Sequence, residues 1–172
     1  MNNIKINKAT AADIERLRQI GKQTFVETFA EFNTPENMNH YLENSFSEQR
    51  VREELDNPDS DFYFAEMDNQ AIGYLKINRA GSQTESGKDK SLEIERIYVL
   101  KEFHGSKVGH LLLDKAMKIA KEEGVSYVWL GVWEQNPRAI RFYEKNGFVP
   151  FDTHVFILGD DRQTDILMKK PI

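Results

Sequence analysis

The segment Asn136–Phe148, with the sequence NPRAIRFYEKNGF, predicts a helix with both ends marked. An asparagine side chain accepts a hydrogen bond from the free N–H groups of a first helical turn, and proline is favoured at the first helical position. Glycine often follows the last helical residue because it adopts positive φ without steric cost. We therefore expect Asn136 to cap a helix that Pro137 begins and Gly147 stops.

Strands and a second helix are predicted on the N-terminal side of this segment. Tyr127–Val132 is a short apolar run suited to a buried strand. Gly105–Glu123 has apolar residues at helical spacing, and Gly124 stands where a helix C-terminus favours glycine. Ser91–Leu100 is a strong strand candidate. The polar segment 79–90 before it, rich in glycine and serine, is predicted to be a mobile loop.

The remaining segments complete one domain over residues 1–172. We predict an opening strand over residues 4–8, a helix capped by Thr10, a helical region capped by Thr34 that runs to Asn57, a hairpin of Asp61–Met67 with Ala71–Asn78, and a terminal hairpin of residues 148–158 with residues 164–169. This order predicts a mixed α/β (α+β) architecture with one sheet and flanking helices.

Composition excludes several classes of function. The 172 residues suit one compact domain, and the net charge of -5 disfavours a nucleic-acid-binding protein. The chain has no cysteine, which excludes disulfides, thiolate zinc sites and a cysteine nucleophile. The 4 histidines show no recognisable metal spacing, so no metal is expected. Because residues 1–6 lack the apolar stretch of a signal peptide and no segment approaches membrane-spanning length, we expect a cytoplasmic protein without a membrane partner.

A strand, a loop and a helix start follow one another between Leu92 and Gly109. A helix N-terminus offers free backbone N–H groups and partial positive charge, which suit an anion such as a pyrophosphate. Taken alone, the same arrangement fits an ordinary solubilising loop before a helix equally well.

The spacing N-x-x-A-x-x-F-Y-x-x-x-G-F of Asn136–Phe148 resembles that of GNAT N-acetyltransferases, and the strand, loop and helix before it lie where that family places its coenzyme motif. Within the family, the chain is similar to PaiA-type spermine/spermidine acetyltransferases, and the stretches that carry this likeness are Thr34–Met38, Tyr41–Glu43, Leu92–Tyr98, Trp129–Glu134, Gly159–Asp161 and Gln163–Asp165. The resemblance implies a mostly antiparallel sheet of about seven strands, acetyl-CoA as co-substrate and direct acetyl transfer.

The resemblance also implies a coenzyme site, and its residues are Ile97, Tyr98, Val99, His104, Gly105, Ser106, Lys107, Val108, Gly109, His110, Asn136, Arg138, Tyr143 and Lys145. The family's pyrophosphate loop has the pattern Q/R-x-x-G-x-G/A, in which His104 and Lys107 replace the opening residue and the first glycine. Lysine adds a positive charge that can contact a phosphate. If that position requires positive φ, however, lysine is strained there.

Two glutamates and one tyrosine are the expected catalytic residues. Glu93 and Glu95 are two apart on a strand and so share one side of the sheet. By resemblance Glu95, with Glu93 second, accepts the proton of the amine or anchors a water that does, and Tyr143 protonates the leaving thiolate. The resemblance also implies that a backbone N–H of the Ile97–Val99 strand, with that of Val99 favoured, donates to the oxyanion. From spacing alone, the carboxylates could merely solvate a strand face, and Tyr143 could be a core aromatic beside a more buried Phe142.

The acceptor is expected to be a primary amine, with polyamines favoured by the resemblance. By resemblance, the residues predicted to bind it are Glu27, Glu31, Glu36, Tyr41, Phe46 and Glu134. From the sequence alone, the acids could equally be solvated positions on helix surfaces and the aromatic residues could be packing residues. Two alternatives stay open: an acetyltransferase for another amine, such as an antibiotic, an amino acid or a protein N-terminus, and a catalytically weak acyl-CoA-binding regulator. The sequence leaves the choice between monomer and homodimer open.

Overall fold

The computed structural model describes residues 3–85 and 90–172. Its helices are α1 Ile14–Phe29, α2 Pro35–Ser45, α3 Glu48–Asp56, α4 Val108–Glu123 and α5 Pro137–Lys145. Its strands are β1 Lys5–Lys8, β2 Ser60–Met67, β3 Gln70–Asn78, β4 Ser91–Val99, β5 Tyr127–Trp133, β6 Val149–Leu158 and β7 Asp161–Pro171.

The strands form one 7-stranded sheet with the order β1-β2-β3-β4-β5-β7-β6. Every neighbouring pair is antiparallel except β4 and β5, which run parallel. Helix α4 connects these two parallel strands, since a parallel pair needs a long crossover. The predicted mixed, mostly antiparallel sheet with flanking helices is confirmed.

The parallel pair β4–β5 is short. Its register runs from Ser91 opposite Tyr127 to Ile94 opposite Leu130, and beyond that point the two strands part. Strand β4 also carries a bulge against β3, because Ile77 is opposite Ile94 whereas Lys76 is opposite Arg96. A bulge bends its strand and re-aims side chains. The sheet therefore opens in its middle.

Helices cover both faces of the sheet. One core cluster packs α4 and part of α5 against the strands, and its members include Ile94, Leu112, Ala116, Val128, Leu130 and Tyr143. Two other clusters contain residues of α1, α2 and α3 together with strand residues, among them Leu17, Phe25, Phe29, Val51, Phe62 and Trp133. The opening between β4 and β5 is thus enclosed by helices.

The ends of several elements differ from the sequence prediction. The helical region from Thr34 to Asn57 is broken, because the Ser47 side chain accepts a hydrogen bond from the Arg50 N–H and starts α3. Helix α4 begins at Val108, and β7 extends over Asp161–Pro171. Residues 86–89 of the segment predicted as a mobile loop lie outside the described residues.

The segment Asn136–Phe148 forms the capped helix that the sequence predicts. The Asn136 side chain accepts a hydrogen bond of 3.2 Å from the Ala139 N–H, and Pro137 is the first residue of α5. The helix ends at Lys145, and Gly147 follows with a φ of +89°. Within residues 3–85 and 90–172, no helix is long and apolar enough to cross a membrane.

Candidate active site

A cleft of about 720 Å³ lies where β4 and β5 part. Its lining combines the outer half of β4, the first turn of α4, residues of α5, and aromatic side chains from α1 and α2. Residues of β5, β6 and β7 complete the opposite wall. The lining residues come from both faces of the sheet, so one end of the cleft lies near the start of α4 and the other beneath α1 and α2, and we call these two ends its mouths.

Backbone groups of β4 are exposed to this cleft. The Leu100 N–H, just after β4, donates to the carbonyl of Ile72 in β3 at 3.0 Å. In an antiparallel pair, successive residues direct their N–H and C=O groups to alternate sides. The N–H groups of Ile97 and Val99 therefore face the gap left by β5. Their orientation suits the oxyanion donor expected at Val99.

The N-terminus of α4 forms one end of the cleft. Its N-cap residue, Lys107, makes no side-chain capping hydrogen bond, whereas Thr34 caps α2 and Ser47 caps α3. Gly105 has a φ of +86°, and Lys107 has a φ of 65° in the left-handed region. The chain keeps the loop geometry that favours glycine but places a lysine in it. Free N–H groups and partial positive charge at this helix end can hold a phosphate.

His104 ties this loop to both sides of the cleft. Because a carbonyl can only accept, Nε2 donates to the Val99 carbonyl at 2.8 Å, which leaves Nδ1 to accept from Arg138. Burial and the neighbouring Arg138 lower the pKa of His104 despite the bond to Val99. A neutral His104 thus links β4 to α5. Of the other predicted coenzyme residues, Ser106 and Lys145 are exposed and do not line the cleft.

Tyr143 places a hydroxyl in the cleft from α5. Its side chain is buried, more so than that of Phe142, which reverses the relative burial expected from the sequence. Burial raises the pKa of Tyr143, so the hydroxyl keeps its proton. No residue within 3–85 or 90–172 hydrogen-bonds to that hydroxyl. It is a free donor toward a ligand.

Glu95 lies on the wall beneath α1 and α2 and is ionised. Burial disfavours its charge, but Arg96 and Lys76 outweigh burial and lower the pKa of Glu95. Lys76 forms an ion pair with Oε2, and the Asn78 Nδ2 donates to the same oxygen at 2.8 Å. This carboxylate is a weak base that can position a water.

Glu93 shares the cleft wall with Glu95 but is almost fully buried, with 2% exposure. The Asn78 Nδ2 donates to it at 3.0 Å, and Thr84 donates through both its backbone N–H, at 2.9 Å, and its hydroxyl. Burial raises the pKa of Glu93 even so. The amide of Asn78 bridges the two glutamates, which confirms that they share one side of the sheet.

The predicted acceptor residues divide into two groups. Tyr41 and Phe46 line the cleft, as does Glu27, whose Oε2 accepts the Lys101 N–H at 2.8 Å. The other three acids are exposed and do not line it: Glu31, Glu36 and Glu134. Glu31 lies in a 3₁₀ turn and Glu36 in the first turn of α2, so both point to solvent.

Many other cleft residues were not predicted from the sequence, and the polar or aromatic ones among them include Thr84, Glu85, Trp133, His154 and Asp165. His154 Nδ1 lies 2.6 Å from Glu85 Oε1. Asp165 is opposite Trp133 in β5 and opposite His154 in β6. The alternation of Gln163, Asp165 and Leu167 along β7 was the available signal, because it places all three on one face. Among residues 3–85 and 90–172, no group of three His, Asp or Glu side chains could hold a metal ion.

The chain is similar to known proteins in sequence and in fold. The profile of the acetyltransferase (GNAT) family matches residues 17–148. An uncharacterized N-acetyltransferase from the pepI 3′ region of Lactobacillus delbrueckii subsp. lactis is 40% identical over 172 residues, which cover 100% of this chain and 99% of that protein. The spermidine N(1)-acetyltransferase of Thermoplasma acidophilum is 28% identical over 155 residues, covering 88% and 91%. The crystal structure of a PaiA N-acetyltransferase from Thermoplasma acidophilum, in complex with coenzyme A, superposes with a TM-score of 0.82 at 27% identity over 99% of each chain.

Proposed function

The chain belongs to the GNAT acetyltransferase family and is an acetyl-CoA-dependent N-acetyltransferase, and from this premise we propose that its acceptor is a polyamine. The observation that carries the proposal is the cleft itself. It joins an uncapped helix N-terminus and exposed β4 amides at one mouth to carboxylates and aromatic rings at the other.

The first mouth suits the coenzyme. The N–H groups in the first turn of α4 and the ammonium of Lys107 would hold the pyrophosphate. The backbone of Ile97, left unpaired by β5, would hold the extended arm by strand-like hydrogen bonds. The Val99 N–H would then stabilise the negative charge that develops on the thioester oxygen.

The second mouth suits a cationic amine. An amine with a pKa near ~10.4 is almost wholly protonated at neutral pH and must lose a proton before it attacks. We propose that Glu95 positions a water through which the amine passes this proton to solvent, because Oε2 of the carboxylate already contacts Lys76 and Asn78. Glu93, with its carboxylate held by Asn78 and Thr84, would support the wall and add negative charge.

Tyr143 would complete the reaction. Its protonated hydroxyl, without another partner among the described residues, can donate to the departing sulfur. The amine would attack the thioester directly, the carbon–sulfur bond would break, and the sulfur would leave with a proton. No covalent bond to the protein is needed.

Polyamine acceptance is supported by two observations. Carboxylates and aromatic rings together suit a substrate that combines ammonium groups with methylene chains, and the acceptor mouth offers both. The similarity to the spermidine N(1)-acetyltransferase of Thermoplasma acidophilum adds to this, since it covers 88% of the chain.

The test is acetyl-CoA consumption by the purified protein with spermidine, spermine and a panel of unrelated amines at matched concentration. The panel contains an aminoglycoside, free amino acids and a peptide with an alanine N-terminus. We expect saturable turnover with polyamines well above the panel. Faster turnover with a panel amine would refute the polyamine assignment, and coenzyme binding without any turnover would favour a regulatory acyl-CoA-binding protein.

A further inference from the structure

Asp165 is a carboxylate that β7 contributes to the wall of the cleft. Its side chain is half buried in β7, and burial raises its pKa, with His154 opposing this in part. Across residues 3–85 and 90–172, nothing donates a hydrogen bond to this carboxylate or forms an ion pair with it. Glu27, Glu93 and Glu95 all have such donors. A partly buried charge without a partner is costly, so this position favours a cationic ligand.

Aromatic rings line the same cleft as Asp165. Trp133 is its neighbour across the β5–β7 pair. The Trp133 ring lies 5.1 Å from the ring centroids of both Phe29 and Phe32, and Phe156 lines the same wall. Aromatic faces attract ammonium groups and pack against methylene chains. The imidazole of His154, which also faces this region from β6, is bonded to Glu85.

The distance from the reacting centre selects a long acceptor. The last paired residues of β4 and β5 are Ile94 and Leu130. Ile97 lies three residues further along β4, and Trp133 lies three residues further along β5. Asp165 is opposite Trp133 and is therefore level with Ile97, two strands away. Two strand spacings amount to about 10 Å, and the parting of β4 and β5 adds to this. A short monoamine at the reacting centre cannot reach that carboxylate.

We propose that Asp165 binds the second, non-reacting ammonium group of the acceptor and thereby selects polyamines over monoamines. This inference rests on the proposed function and names the group that confers its specificity. Trp133 and the phenylalanines cover the intervening methylenes. The exposed acids predicted from the sequence, Glu31 and Glu36, have no part in it.

The experiment compares Asp165→Asn with Asp152→Asn, an exposed aspartate on the same hairpin that does not line the cleft. The acceptors are spermidine and butylamine, which has a four-carbon chain without a second amine. Loss of one charge-assisted hydrogen bond predicts that Asp165→Asn raises the KM for spermidine about 10- to 100-fold. We expect kcat for spermidine and the KM for butylamine to change by less than about 2-fold, because the lost contact is remote from the reacting atoms.

Further measurements separate the loss of a specific ammonium contact from misfolding or a general distortion of the cleft. Circular dichroism and coenzyme A affinity establish that Asp165→Asn is folded, and Asp165→Glu, which keeps the charge, is expected to restore much of the spermidine preference. If the wild type acetylates spermidine and Asp165→Asn keeps the wild-type KM, the inference fails while the proposed function stands. If the wild type neither acetylates nor binds spermidine, both fail. An equal rise in KM for both amines would show a general distortion of the cleft and would also overturn the inference.

Discussion

Replacement of Lys107 by glycine is expected to stabilise the protein. Lys107 is exposed and has a φ of 65°, so it occupies the left-handed region without an evident packing contact to compensate. For a residue with a Cβ, this conformation costs roughly 1–2 kcal/mol relative to the right-handed one. Glycine avoids that cost but loses roughly 0.5–1 kcal/mol through the greater entropy of the unfolded chain. The midpoints of these two ranges differ by about 0.75 kcal/mol, which is the expected net gain.

For a chain of this length, the gain corresponds to a rise in Tm of about 1–4 °C. Urea unfolding and thermal melts of the wild type, Lys107→Gly and Lys107→Ala measure it. Lys107→Ala is the matched control, because it also removes the charge but keeps the Cβ and hence the strain. The reasoning is wrong if Lys107→Gly is no more stable than Lys107→Ala.

Three further outcomes are expected. Tyr143→Phe should lower kcat at least 10-fold, because the substitution removes the hydroxyl that protonates the leaving sulfur. The affinity for coenzyme A, measured by calorimetry, should stay within about 2-fold of the wild-type value, because only that hydroxyl is lost. An unchanged kcat would remove Tyr143 from the mechanism. Because Lys76 and Arg96 lower the folded-state pKa of Glu95, its ionised form stabilises the fold above the ordinary glutamate range, and this contribution is lost as pH falls through the lowered value. Urea unfolding of Glu95→Gln should therefore depend less steeply on pH below about pH 4.5 than that of the wild type, and parallel profiles would contradict the shift. Thr84→Val removes a hydroxyl donor from the buried Glu93 and should cost about 1–3 kcal/mol of unfolding free energy, and a melt equal to that of the wild type would show that water replaces the hydroxyl.

Local signals in the sequence predict an element correctly when capping and turn residues mark both of its ends. Helix α5 follows from Asn136, Pro137 and Gly147, because capping and positive φ are decided within a few residues. The break at Ser47 was missed because Ser47 lies within a run of apolar residues at helical spacing. A serine in that position caps a new helix only if the chain turns there.

The part of the candidate site that depends on local backbone geometry could be predicted from the sequence. The part that depends on which strands pair, and where they part, could not. The loop before α4 follows from a strand, a glycine and a helix start, whereas its assignment to the coenzyme rests on the family resemblance and stays a prediction. The opening of the sheet depends on where β4 leaves β5, which no local pattern records. Asp165 was missed for the same reason, since its position in the cleft depends on its neighbours Trp133 and His154 in other strands. The prediction of Glu31, Glu36 and Glu134 rested only on their positions along the chain, and these three residues do not line the cleft.

The parting of β4 from β5 has a consequence for hydrogen exchange. Amide protection normally rises toward the centre of a sheet, because the innermost strands open only with the whole domain. Here two adjacent amides of a central strand differ, since the Tyr98 N–H is bonded to β3 and the Val99 N–H faces the gap. In solution, we therefore expect the Val99 proton to exchange for deuterium like one in a surface loop, and the Tyr98 proton, one residue earlier, to exchange only when the core unfolds.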